Sequence, residues 1–187
     1  MTARRTSLAL AALLALAPAA FAEDAPYAGQ DARDIASLSA SDIEALTEGQ
    51  GWGLALPAEL NGYPGPLHVL ELATELELTE AQRTEVQAIF DAMRAEAQAK
   101  GAAYIEAEAH LSRMFRAGHA SPERLQMMLD EAGEALAALR QVHLSAHLQV
   151  TPLLSEGQRE TYAALRGYGG ADGQGAGHSG SGAHSGH

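Results

Sequence analysis

Apolar positions recur along Pro122–Val150 at alternating steps of four and three, Leu125, Leu129, Ala132, Leu136, Leu139, Ala146 and Val150, with His143 standing at the one interrupted step. That spacing keeps one stripe facing a packed partner and predicts a single long helix. A second stripe runs through Val86, Ile89, Phe90, Met93, Ala97, Tyr104, Leu111 and Phe115. It predicts another long helix, from the capping box Thr79-Glu80-Ala81-Gln82 to about residue 117. Gly101 interrupts this helix, weakening it by roughly 1 kcal/mol and allowing a bend. Gly118 ends it, and Ser121-Pro122 caps and starts the next. Before the first capping box, Pro66 opens a helix over 67–78 with Val69, Leu72, Ala73 and Leu76 on one side. After the seam helix, Ser155-Glu156-Gly157-Gln158 opens a last one that ends near Arg166. No alternating strand pattern occurs. The expectation is an all-α fold, four helices in antiparallel hairpins with the two longest in the middle.

The flanks read differently. Arg4 and Arg5, an apolar run over 8–17 and the small-residue pattern Ala20-Phe21-Ala22 have the form of a secretory signal peptide over 1–22, with cleavage after Ala22. Residues 23–65 are irregular. Ser41-Asp42-Ile43-Glu44 and Gly49 predict a short helix over 41–48, and Gly49, Gly51 and Gly53 surround Trp52. These glycines follow no strand and precede no Gly-Lys-Ser/Thr, so a phosphate loop is set aside. We read the segment as an arm whose Trp52, Leu54, Leu56 and Leu60 lie against the helices, either of the same chain or of a second copy in a homodimer. The tail over 167–187 is Gly, Ser and Ala with His178, His184 and His187, a composition that cannot bury a core and is expected to be disordered.

Charge and cysteine content narrow the chemistry. The net charge of −12 becomes −14 when Arg4 and Arg5 leave with the first 22 residues, which gives no reason to seek nucleic acid or an anionic membrane. The 165 residues that remain (187 less 22) suffice for one domain, and no segment promises membrane insertion after processing. With no cysteine, any metal must be held by His, Met, Asp or Glu. His143 and His147 project from the same side of one helix, about 6 Å of rise apart. If the turn near 119–120 folds the long helices together, residues whose numbers sum to about 240 lie level. His147 then faces Met93, and the first turn brings His68 into the same layer. His68, Met93, His143 and His147 are the candidate ligands; two imidazoles and a thioether suit copper, or zinc with an added carboxylate, and nickel less well. The bland readings stand beside this one: His143 as a hydrogen-bonded core histidine and Met93 as core filling. His178, His184 and His187 could collect Cu, Ni or Zn at low affinity. His110 and His119 fall off the apolar stripe and read as surface residues. No His-Glu-x-x-His, Ser/His/Asp set or nucleotide loop can be placed, so no enzyme activity is expected.

The two capping boxes extend to Leu78-Thr79-Glu80-Ala81-Gln82, which reads LTxxQ, and Leu154-Ser155-Glu156-Gly157-Gln158, a copy with Ser for Thr. Two such motifs bracketing a helical hairpin behind an export signal resemble the Spy/CpxP superfamily, over roughly residues 66–166. That superfamily includes ATP-independent periplasmic chaperones, ZraP-like zinc proteins and CnrX-like heavy-metal sensors. The metal-sensing branch draws ligands from the helix before the first motif and from a His-x-x-x-Met pair before the second. The resemblance therefore implies roles for His68 and for His143 with His147; a second histidine and a carboxylate used by the sensors have no counterpart recognisable in this sequence. The function it implies is a periplasmic protein that binds copper or zinc for buffering, sensing or resistance. The alternative is a metal-independent holding chaperone or envelope-stress regulator. Expected partners are accordingly metal ions, unfolded client proteins or a membrane-bound signalling partner.

Overall fold

The structure is a computed structural model that describes residue 27 and residues 29–168. Six α-helices form among these residues and no strand: α1 (Ala40–Thr47), α2 (Leu56–Glu59), α3 (Pro66–Glu71), α4 (Glu80–Arg116), α5 (Pro122–Val150) and α6 (Glu156–Leu165). The expected signal peptide and most of the tail, with His178, His184 and His187, lie outside the described residues.

The frame is the antiparallel pair α4 and α5. Its turn is made by Gly118 at φ +66°, and Ser121 caps α5 by accepting from the Arg124 N–H at 3.3 Å. At the open end, α3 and α6 close over the pair, burying Val69, Ala73, Leu76, Leu78, Val86, Val150, Leu154 and Tyr162. Both motif leucines, Leu78 and Leu154, belong to this core. The motif polar residues explain why the pattern recurs. Thr79 accepts from the Gln82 N–H, while Gln82 Oε1 accepts from the Thr79 N–H at 3.0 Å. Ser155 and Gln158 repeat this box. Each glutamine then uses its remaining amide hydrogens across the fold. Gln82 donates to the Leu153 carbonyl at 2.7 Å and to Gln158 Oε1 at 2.9 Å; Gln158 donates to the Leu76 carbonyl at 3.1 Å and to Gln82 Oε1 at 3.2 Å. Four otherwise stranded helix-end groups and two turns are thereby joined in one side-chain pair.

The arm runs back along α4. Arg116 donates to the carbonyls of Arg33 and Asp34, Ser37 donates to Glu108, and Arg94 donates to the Glu48 carbonyl. Ile35, Leu38, Leu46, Ala97, Tyr104, Leu139 and Val142 make the second buried cluster, with Trp52, Leu54 and Met93 packed against it. Helix α4 runs without interruption through Gly101. This residue is buried where the arm crosses, and a Cβ there would stand 2.5 Å from the Leu46 carbonyl oxygen. Glycine is needed for the close approach of two backbones.

Several expectations are corrected. Helix α1 is capped by Ser39 rather than Ser41, because Asp42 reaches back to the Ser39 N–H at 2.8 Å while its own N–H donates to Ser39 Oγ. The helix expected over 67–78 stops at Glu71. The chain turns instead through Leu72 to Leu78, with Glu77 at φ +50° and the Leu78 N–H donating to the Ala73 carbonyl. This turn carries Leu76 and Leu78 into the core, a tertiary gain that overrides local helix propensity. In the arm, Trp52 and Leu54 pack inward as expected, but Leu56 and Leu60 are exposed.

Candidate metal-binding cleft

Between the two buried clusters lies a cleft of about 570 Å³. Its walls include His68, Met93, His143 and His147, so the four candidate ligands of the folded region line one space although they come from three helices. His143 and His147 are buried, 2% and 7% exposed, one turn apart on the seam of α5. The 3.6-residue repeat puts both on the inner face, and the hairpin register brings Met93 of α4 opposite.

The imidazoles are in different states. His147 Nδ1 donates to the Tyr63 carbonyl at 2.7 Å, because a carbonyl can only accept. In the neutral ring the lone pair therefore resides on Nε2. His143 Nε2 is buried without a hydrogen-bond partner. Burial, and secondarily the neighbouring His147, holds the His143 pKa below the usual 6.5, so the ring is neutral at neutral pH. His68 sits at the rim, partly exposed, with Nδ1 2.9 Å from Glu71 Oε2.

The sequence reading missed Glu59, at the end of α2. It is 7% exposed, an unusual place for a carboxylate, and its Oε1 accepts from the Tyr162 hydroxyl at 2.5 Å with Arg166 Nε at 3.4 Å. Burial and the adjacent Glu59 push the Tyr162 pKa far upward, so the hydroxyl remains a donor. Glu59 Oε2 has no hydrogen-bond partner and lies 3.7 Å from His147 Nδ1. Nothing in the local sequence signals this: the carboxylate and its tyrosine partner are 103 residues apart. Gly65 borders the site. A Cβ on it would lie 2.9 Å from His147 Cε1, 3.1 Å from His147 Nε2 and 3.4 Å from Glu59 Oε2, so only glycine lets the backbone approach the ring this closely.

As the side chains stand, no group of three or more His, Asp or Glu among the described residues is arranged to hold a metal ion. Two buried imidazoles and one thioether line the cleft, a donor set of low coordination number. Among the described residues, no helix is long and apolar enough to cross a membrane.

No curated protein and no solved structure matches the chain. The model of the family described as LTXXQ motif family protein matches residues 67–166, the stretch from α3 through α6 that carries both capping boxes, the glutamine pair and the two buried histidines. The chain thus belongs to the LTXXQ motif family and is a protein of the Spy/CpxP type, a group typically periplasmic.

Proposed function

We propose that this protein binds a heavy-metal ion in the periplasm, holding it in the cleft for buffering, sensing or resistance. One observation carries the reading: His143 Nε2 is buried with no partner on the wall of a cleft. A buried ring nitrogen without a hydrogen-bond partner is costly, and a metal ion bound there by the neutral imidazole would satisfy it. His143 and His147 are the primary donors, each through Nε2, with Met93 as the soft third and His68 at the entrance. Two imidazoles and a thioether favour copper over zinc, and nickel least. Glu59 Oε2 would supply the carboxylate that zinc requires. The Tyr63 carbonyl holds the ring of His147 in its tautomer, the usual service of an outer partner to a ligating histidine.

The test is titration with Cu(I), Cu(II), Zn(II) and Ni(II), comparing the parent protein with His143→Ala and Gly65→Ala. Uptake that is lost in His143→Ala, and weakened in Gly65→Ala where a methyl would displace the His147 ring, supports the cleft. Undiminished uptake by a folded His143→Ala protein removes it.

A metal-independent holding chaperone or envelope-stress regulator is the competing reading. It is favoured by Leu56, Leu60, Tyr63 and Leu67, large apolar side chains exposed on the α2–α3 stretch that borders the cleft. Suppression of client aggregation by metal-free protein, unaltered by His143→Ala, would select it.

A further inference from the structure

The far end of the hairpin carries a second gathering of donors. His110 and Met114 lie one turn apart near the end of α4, Met127 and Met128 lie on the first turns of α5, and His119 is in the turn between them. All five line one open groove of about 440 Å³. The approach of His110 Nδ1 to Glu131 Oε1, at 3.3 Å, fixes the register of the two helices there. Stepping four residues toward the turn on each helix brings Met114 level with Met127.

Packing does not account for these methionines. Met127 is 58% exposed, neither Met114 nor Met128 is buried, and no member of the groove belongs to either hydrophobic cluster. Yet three of the five methionines in the chain stand here, in a protein with no cysteine, whose only sulfur donors are thioethers. The groove is also lined by Arg113 and Arg124. Their charge offsets that of Glu106 and Glu131 beside His110, so no strong negative field favours a dication, whereas neutral thioethers bind a soft monovalent ion without needing an opposing charge. Glu131 Oε1 stands 3.3 Å from His110 Nδ1, while Nε2 faces Glu106 Oε1 at 3.8 Å, outside hydrogen-bond distance, so Nε2 is the nitrogen that would ligate with Nδ1 held by a carboxylate.

We propose that the hairpin tip is a soft-metal site, separate from the cleft, which takes monovalent copper or silver on Met114, Met127 and Met128, with His110 and His119 completing the donor set. The two sites divide by chemistry: imidazole predominates in the cleft and thioether at the tip.

Silver(I) titration of protein carrying ¹³C-methyl methionine tests this, because each methyl reports its own site. The expected result is that the methyl signals of Met114, Met127 and Met128 move together on adding Ag(I) and stay in place on adding Zn(II). A variant combining Met114→Leu, Met127→Leu and Met128→Leu, conservative in volume on an open surface, should keep the parent circular dichroism spectrum and take up roughly one equivalent less Ag(I). Tip methyls that do not move at saturating Ag(I), or Ag(I) uptake by the triple variant equal to that of the parent, overturn the proposal. The Met93 methyl serves as the independent reporter of the cleft, so failure at one site is read separately from failure at the other.

Discussion

The two buried clusters on either side of the cleft are held by different means. At the motif end, directional bonds do the work: capping boxes close two helix starts, and a reciprocal pair of glutamine amides ties them together. At the arm end, bonds from Arg94 and Arg116 tack the arm's backbone to α4 from outside, and close-fitting shape seats its core: the Leu46 backbone lies against Gly101, with Trp52 tilted on Tyr104 at 5.9 Å between ring centroids. The cleft draws on both, with Trp52 and Met93 from the arm side and Gly65, His143 and His147 from the motif side. Its dimensions therefore depend on two attachments that can be loosened separately.

The largest effect should come from the arm side. Gly101→Val places side-chain atoms where the Leu46 carbonyl already lies, which should cost about 3 kcal/mol. Tryptophan fluorescence should shift to the red as the arm lifts, with little loss of helical signal; unchanged stability and fluorescence would mean that the arm is not seated through this contact. On the motif side, Gln82→Ala removes a reciprocal cap and the amide bridge, and about 2 kcal/mol is expected in denaturant melts. A double-mutant cycle with Gln158→Ala should show coupling of about 1 kcal/mol, and strict additivity would sever the two motifs energetically. Smaller again is Trp52→Phe, which removes the 2.9 Å bond from the indole N–H to Asp42 Oδ1 and should cost about 1 kcal/mol. The bonds from Ser39 and Trp52 hold the Asp42 pKa below its ordinary 3.8, so its titration followed by NMR should move upward in this variant.

The mildest test is pH. Folded metal-free His143 protonates below 6.5 because burial opposes its charge. As pH falls below about 6.5 the unfolded chain takes up this proton before the folded one, so stability present above that pH is lost on acidification. Thermal melts between about pH 8 and pH 5 should show a smaller acid loss for His143→Gln than for the parent. Equal losses would place the acid sensitivity elsewhere.

What could be read from the sequence, and what could not, follows the same division. The long helices, the capping boxes at Thr79 and Ser155 and the shared lining of the cleft by Met93 and His147 all rest on periodicity, and periodicity is local. The Ser39 cap was obscured because Ser41 offers the same chemistry two residues later, and only the reach of Asp42 decides between them. The early end of α3 was hidden because no Gly or Pro marks it; Glu77 adopts its positive φ for the sake of the core beneath. Glu59 could not be seen at all. Its partners His147, Tyr162 and Arg166 come from the far end of the chain, and a lone Glu in Leu56–Glu59 looks like any solvated carboxylate.

The glutamine pair also bears on how the molecule comes together. It joins side chains 76 residues apart, whereas the turn between α4 and α5 brings near neighbours together first. Zippering of the hairpin from its tip should precede closure of the amide pair, making the latter a late event. Loss of either glutamine should then leave the refolding rate nearly unchanged and speed unfolding, so that in stopped-flow experiments these two residues act as a latch on the lifetime of the native state.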